Sequence, residues 1–388
     1  MKILLASSSS GSRGGGELYL LYLGRALAER GHEPMLWAST HPRMDELADG
    51  FARFGAVHRG AYTNTYDRPL RSLASYADRA SARCVADSWR TTGAEFIHLN
   101  KQNLEDGLDL LAAARLTDAP SLCTIHLTQS ARYLRAVFAP LRDAVARRAL
   151  ARYPGLLVTV LEQRRHDLAD FVGPAPRLRM IPNGVPLFDL TQRARLRVEQ
   201  RTTLGFATEE KVIIAVGRLV PQKQPLAFLE QARLISAAHP QARFVWVGDG
   251  ALAGEWDARV RELGLSRVVQ RLPWQSDVLP LLFAADVFLH VAEFEGLPLA
   301  ILEAMSAGLP CAIAAHLLAE MPFFGPHDVL PVSPDAAWAT ALEDPARLAT
   351  LGQRARRLVE ESFSFASMAG SYEALYRETL GHRQLFPR

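Results

Sequence analysis

Cysteine is scarce in this chain. Cys84, Cys123 and Cys311 are the three among 388 residues, and they form no Cys-x-x-Cys pair. An odd, scattered set of that kind excludes a disulfide framework and argues against a structural zinc site. Long apolar runs are missing as well. No window approaches the roughly twenty apolar residues that cross a bilayer, and the opening Met-Lys-Ile-Leu-Leu-Ala-Ser turns polar too soon for a secretory signal. A cytoplasmic location is expected, at the inner face of a membrane if the substrate is lipid-linked. There is no internal repeat and no low-complexity tract beyond one short serine run. A net charge of +3 gives no reason to expect a nucleic-acid partner.

What is present is ordinary for a globular protein: 49% hydrophobic and 22% charged residues. The length is too great for one core and predicts two domains. Charge is unevenly divided, residues 1–190 carrying +5 and residues 191–388 carrying −2. The basic excess includes a run over 132–152, where Leu134, Val137, Phe138, Leu141, Val145 and Leu150 alternate with arginines. Read as a basic amphipathic helix, it suits weak contact with an anionic membrane, although a domain helix with a solvated face has the same pattern.

Short apolar runs near 2–6, 34–38, 56–59, 94–99, 120–125, 156–160 and 178–181 alternate with helical periodicity. That alternation predicts a mostly parallel sheet covered on both faces, with its site beyond the carboxyl ends of the strands. The first strand runs into a Ser/Gly loop ending Gly14-Gly-Gly16 and then a helix, an arrangement that offers backbone N–H groups to a phosphate. It is not Gly-x-Gly-x-x-Gly, and no acid ends the second strand, which disfavours a nicotinamide dehydrogenase. His98, Asn100, Lys101, Asn103 and His126 fall at strand ends and are candidates for acceptor contact and chemistry. Ile181-Pro-Asn-Gly-Val-Pro186 is a turn by composition and marks a domain boundary, giving domains 1–185 and 186–367.

The second half repeats the pattern with strands near 212–216, 243–247, 268–272 and 286–290, and is helical from 335 onward. Arg218 and Lys223 flank a strand-to-helix loop, where two cations oppose the dipole of the helix that follows. An anion is expected to compensate them, and a diphosphate suits an Arg fork and a Lys point charge. Gly248-Asp-Gly250 is a tight turn that lets a ligand or another backbone approach. Glu295 and Glu303 stand either side of a Gly296-Leu297-Pro298 corner, the first before a helix start and the second inside that helix, which Gly308 and Pro310 close. A helix start and two carboxylates suit a phosphorylated sugar.

Taken in order, Gly14-Gly-Gly-Glu17, His126, Ile181-Pro-Asn-Gly184, Gly217-Arg-Leu with Lys223, Gly248-Asp-Gly250 and Glu295 with Glu303 resemble the motif set of glycosyltransferase family 4. These are retaining nucleotide-sugar transferases of GT-B fold. The resemblance implies two Rossmann-like domains facing across a cleft, a first domain for the acceptor and a second for the donor. A last helix, about 368–388, would return to the first domain. It also implies roles. Gly15 and Gly16 approach the donor's diphosphate, which Arg218 and Lys223 neutralise. Glu303 binds the ribose and Glu295 a hydroxyl of the donor sugar. Leu272 to Trp274 flank the nucleobase, Gly248, Gly296 and Leu297 line the donor, and His126 stands near the transferred sugar. Two departures are visible: Gln224 follows Lys223 where the family commonly has Gly, and His290-Val-Ala precedes the acids in place of Pro-Ser.

No Asp-x-Asp handle for a metal-bound diphosphate occurs, so neither a metal nor a cofactor is expected. The substrate would be a UDP-sugar, with a GDP-sugar as alternative. The acceptor would be a glycan, a lipid-linked glycan or a small molecule. The resemblance implies front-side attack, the leaving phosphate taking the acceptor's proton. A double displacement would need a carboxylate nucleophile, for which Asp106 and Asp109 stay open. Alternatives of the same architecture are a nucleotide-sugar epimerase, a phosphorylase, a natural-product glycosyltransferase and a non-catalytic nucleotide-sugar-binding protein.

Overall fold

Apolar strands buried on both faces need helices on each side of their sheet, and the chain meets that need twice. The computed structural model describes residues 1–9, 11, 13–173 and 177–385, with side chains as far as 381. Ser10 and Ser12 of the glycine loop, and 386–388 of the expected terminal segment, lie outside the described residues. By its contacts the chain divides into two units, Met1–Gly184 with Phe365–Arg388, and Val185–Ser364.

The first unit holds β1 (Lys2–Ser7), β2 (Glu33–Ser39), β3 (Ala56–Gly60), β4 (Phe96–Lys101), β5 (Ser121–Ile125), β6 (Leu156–Thr159) and β7 (Leu178–Met180). They form one sheet of order β3-β2-β1-β4-β5-β6-β7, with every pair parallel. The winding reverses between β1 and β4, so the loops leaving those two strands diverge and open a crevice at their carboxyl ends. The helix Gly15–Glu29 follows β1 and buries Leu20, Leu23 and Leu27. Gly31, at φ +80°, ends it by donating to Ala28 O at 2.9 Å while His32 N reaches Leu27 O at 3.0 Å.

The helix Phe365–Leu385 also belongs to this unit. It buries Met368, Tyr372, Leu375 and Tyr376, and Glu373 pairs with Arg30 at 2.6 Å. Phe363 falls at a break before that helix and packs on Phe323 with ring centroids 5.0 Å apart.

The basic segment 132–152 departs from expectation. It is not one helix: residues 131–135 form turns, and the helix runs only over Ala139–Ala151. Arg135 and Phe138 sit at φ +52° and +58°, outside helical space. Pro140 then occupies the first turn of the new helix, where its missing N–H costs nothing.

The second unit holds β8 (Lys211–Val216), β9 (Ala242–Val247), β10 (Val269–Leu272), β11 (Val287–His290), β12 (Cys311–Ala314) and β13 (Leu330–Val332). Its sheet has the order β10-β9-β8-β11-β12-β13, again wholly parallel, with the reversal between β8 and β11. Phe228, Trp246 and Trp256 pack edge-on and stacked in its core. The last two strands are absent from the sequence reading. β12 is four residues with two alanines, poor strand formers alone, and it owes its conformation to pairing with β11. No helix among the described residues is long and apolar enough to cross a membrane.

Candidate active site

In each sheet the chemistry-bearing residues collect where the winding reverses. In the second unit β8 runs into Gly217 and Arg218, β9 into Gly248, β10 ends at Leu272, and β11 leads to the loop that carries Glu295. Gly217 N donates to Val247 O at 3.0 Å and Gly248 N to Leu272 O at 2.9 Å, so these strand ends are laced together. A Cβ on Gly248 would lie 2.3 Å from Gly217 O, and its φ is +135°. Only glycine fits there. Trp274 N donates to Asp249 Oδ2 at 2.9 Å, which holds the chain after β10 against the same turn.

Lys223 lies in a short 3-10 turn, Pro221–Lys223, ahead of the helix Pro225–Ala238. Its ammonium pairs with Glu295 Oε1, and His290 Nε2 stands 3.1 Å from that same oxygen. Glu295 and His290 are buried. Burial alone would raise the Glu295 pKa, but Lys223 and His290 outweigh it and hold the carboxyl at about 2. For His290, burial lowers the pKa more than Glu295 raises it, and the ring is neutral at pH 7.

The loop around Glu295 is fixed by its neighbours: Glu293 N donates to Gln222 O at 2.9 Å, and His316 Nε2 lies 3.0 Å from both Ala292 O and Glu293 O. Gln224 sits at φ +50° and donates to Glu293 Oε2 at 3.3 Å. The glutamine that replaces the common glycine thus occupies a backbone shape that favours glycine.

Arg218 is exposed, with no side-chain hydrogen bond or ion pair among the described residues. The anion expected to compensate both cations is therefore, for Lys223, a carboxylate of the chain itself. Gly296 and Leu297 are buried at the corner, Pro298 caps the helix Leu299–Ser306, and Glu303 is buried in the second turn. Gly308, at φ +70°, closes that helix.

In the first unit Gly15 is exposed at the start of its helix and Gly16 is buried, a Cβ there running into the Gln102 amide. Asn100 Nδ2 donates to Gly16 O at 3.1 Å, so its Oδ1 faces His126 Nε2 at 2.7 Å. His126 must then carry its proton on Nε2, leaving Nδ1 as the acceptor. Burial holds its pKa at about 4.

The acceptor candidates are largely turned inward. His98 is wholly buried, with Nδ1 2.7 Å from Tyr376 OH and Nε2 2.8 Å from Thr124 Oγ1, and burial pushes its pKa to about 3. Lys101 is wholly buried with no hydrogen-bond partner for Nζ among the described residues, and burial lowers its pKa. Asn100 is buried as the link just described. A central strand covered on both faces has no outward side for these residues, which corrects the expectation that they meet an acceptor. Asn103 is half-buried, accepting from Glu105 N and Asp106 N at 3.2 Å.

Asp106 and Asp109 are closed off too. Asp106 is fully buried, bonded to Ser8 Oγ and Gln102 N, with its pKa raised by burial. Asp109 is engaged by Arg68, Ser75, Ser81 and Tyr62. Neither presents a nucleophile.

Sequence reasoning missed His290 and His316. The first carried a signal, a histidine ending a strand five residues before Glu295. The second carried none, because its partners are backbone carbonyls 23 and 24 residues away.

Comparison with known proteins agrees with this layout. Residues 13–187 match the family model described as Glycosyltransferase Family 4, and residues 197–320 the one described as Glycosyl transferases group 1. The chain is 38% identical over 141 residues to the UDP-Gal:alpha-D-GlcNAc-diphosphoundecaprenol alpha-1,3-galactosyltransferase of Escherichia coli, 36% of each protein. It is 25% identical to the glycogen synthase of Mycobacterium tuberculosis, over 97% of this chain and 94% of that one. The chain spans about a quarter to a half of the length of the first curated relatives it matches. Among solved structures, HepE of Anabaena in complex with UDP and glucose superposes with a TM-score of 0.77 at 21% identity, covering 97% of this chain and 99% of that one. That likeness, over both units, gives the GT-B fold.

Proposed function

From the premise that the chain belongs to glycosyltransferase family 4, we propose that it moves a sugar from a nucleotide-diphosphate sugar to an acceptor hydroxyl, with retention at the anomeric carbon. The observation that carries this reading is the group formed at the reversal point of the second sheet: a lysine cation and a buried histidine on one carboxylate oxygen, beside an exposed arginine and a glycine turn that admits no side chain.

Departure of a nucleoside diphosphate leaves negative charge on the β-phosphate, and fixed cations stabilise it as it develops. Arg218 and Lys223 supply that charge in this reading, so no metal is required. Lys223 is held in place by Glu295, whose other oxygen, 3.5 Å from Gln222 Nε2, takes a donor-sugar hydroxyl in this reading. Glu303, near the start of its helix, takes the ribose hydroxyls, and the Leu272–Trp274 segment flanks the base. In the first unit, His126 offers a neutral ring with Nδ1 as acceptor near the transferred sugar, while Gly15 and Gly16 present backbone N–H groups.

With no carboxylate nucleophile offered by Asp106 or Asp109, the reading favours front-side attack, the leaving phosphate accepting the acceptor's proton. The names of the Escherichia coli enzyme and of the Anabaena complex support a UDP-sugar as donor, and the former supports a lipid-linked sugar as acceptor.

The test is a thermal-shift panel of nucleotide sugars and nucleoside diphosphates, followed by release of the diphosphate from the best binder with and without acceptor mixtures, in the presence of a chelator. A shift with one nucleotide class, and release that an acceptor accelerates, support the reading. Conversion of the donor to an epimer without acceptor, or loss of activity in chelator, counts against it.

A further inference from the structure

Two turns of the first unit, Leu70–Arg71 and Tyr133–Phe138, expose apolar side chains on backbone that is held rather than slack. Val137 is 73% exposed, Phe138 62% and Leu70 62%, with Tyr133, Leu134 and Leu141 also open to solvent. Among the described residues six non-glycine positions have positive φ, and four of them are Leu70, Arg71, Arg135 and Phe138. Such conformations persist only where the surroundings impose them.

The surroundings are on hand. Asp143 Oδ1 accepts from Ala131 N at 2.7 Å and its Oδ2 from Arg132 N at 3.2 Å; Ser130 Oγ accepts from Tyr133 N at 3.1 Å; and Arg142 donates to Val137 O at 3.3 Å. The two turns are neighbours. Ser72 opens the helix after the first and Arg142 lies in the first turns of the helix after the second, and both donate to Glu105 Oε2, at 3.0 and 2.8 Å.

The exposed charged side chains of these two turns have one sign, the Asp143 carboxylate being taken up by the backbone N–H groups of Ala131 and Arg132. Residues 69–73 and 131–141 contain Arg71, Arg132 and Arg135 and no acid. All three arginines are exposed and none has an ion pair among the described residues; Arg71 lies over the Tyr66 ring at 5.5 Å. Apolar tips interleaved with unpaired guanidinium groups match the water–lipid boundary, where the former enter the acyl region and the latter meet phosphate.

We propose that this face docks the first unit on an anionic lipid bilayer, by shallow insertion of Leu134, Val137, Phe138 and Leu70. It deepens the transferase reading by naming where the acceptor is met, and rests on that reading for its purpose only. Binding to lipid is measured with no donor present, so the two stand or fall separately.

The experiment is co-sedimentation of the full chain with vesicles of phosphatidylglycerol and phosphatidylethanolamine, against vesicles of phosphatidylcholine alone. Wild type is expected to bind the anionic vesicles, and the Val137→Asp/Phe138→Asp variant to bind them about tenfold or more weakly. Arg71→Glu/Arg132→Glu provides a second variant, expected to lose the preference for anionic lipid while keeping the wild-type thermal shift with nucleotide. No sedimentation of wild type with anionic vesicles overturns the proposal, as does equal binding by both variants. Self-association of wild type in sedimentation velocity, abolished in the aspartate variant and without vesicle binding, assigns the face to a second copy and also overturns it.

Discussion

Lys223 and Glu295 meet as a largely buried ion pair across 72 residues of sequence, and His290 lies on the same carboxylate oxygen. The pair fixes the ammonium before any ligand arrives, so little reorganisation remains for the reaction step.

Removing Lys223 therefore acts twice. Lys223→Ala strips a charge from the site and leaves Glu295 buried without its cation. Turnover should fall by about 2–4 kcal/mol in activation free energy, the loss typical of one charge-stabilising donor. Arg218→Ala, which leaves no buried partner stranded, should lower turnover by a similar amount while unfolding at the wild-type urea midpoint. Full activity in the Arg218/Lys223 double variant would remove the diphosphate assignment. Glu303→Ala should chiefly raise the donor KM.

The same pair sets an acid limit. The Glu295 pKa falls from 4.5 when unfolded to about 2 when folded. Its contribution to stability is present above pH 4.5 and disappears as pH drops toward 2, up to about 3 kcal/mol in all. Urea unfolding of wild type and Glu295→Gln over this range should give curves that converge at low pH. A gap that stays constant with pH would contradict the assignment.

The buried histidines push in the same direction for the opposite chemical reason. His98 titrates at about 3 and His126 at about 4 in the fold, against 6.5 when exposed. Below pH 6.5 the unfolded chain takes up protons that the native rings refuse, so stability should decline as pH falls from 6.5. His98→Gln removes one such proton. It should flatten the pH dependence of unfolding near pH 5 by about 1.4 kcal/mol per pH unit, and an unchanged slope would show that His98 is not the group responsible.

Two backbone positions make a matched pair. Gly248→Ala places a Cβ against Gly217 O at φ +135°, and should destabilise the second unit by about 2 kcal/mol or more while weakening donor binding. Gln224→Gly relieves a positive φ at the loss of one exposed hydrogen bond to Glu293, and should raise stability by about 1 kcal/mol. Thermal unfolding of both variants checks the two signs at once.

The parallel strands up to β11 are legible in the sequence because each is a short apolar run with a turn or helix on either side, and the Gly-Leu-Pro corner announces the Glu303 helix. β12 and β13 are not, since Cys311–Ala314 and Leu330–Val332 are strands only by pairing. The site residues of the second unit sit at strand ends that sequence can locate. Their contacts are hidden: nothing local says that Lys223 turns to Glu295, or that His98 and Lys101 face the interior, because strand alternation fixes sides and not which side is covered. The helix read over 132–152 fails at Arg135 and Phe138, where the turn is held instead by Ala131 N donating to Asp143 and Arg142 donating to Val137 O, against an acceptable helical pattern.

The helix Phe365–Leu385 supplies Tyr372 and Tyr376 to the core around His98 and Thr124. On the ribosome, the strand residues that need those tyrosines emerge 248 and 278 residues before them, since Met1–Gly184 is made first and the continuous unit Val185–Ser364 next. Synthesis usually lets the earlier domain fold earlier. Here the chain limits that order: the residues of the second unit are all made by Ser364, whereas the first needs the last helix to bring Tyr372 and Tyr376 to Thr124 and His98.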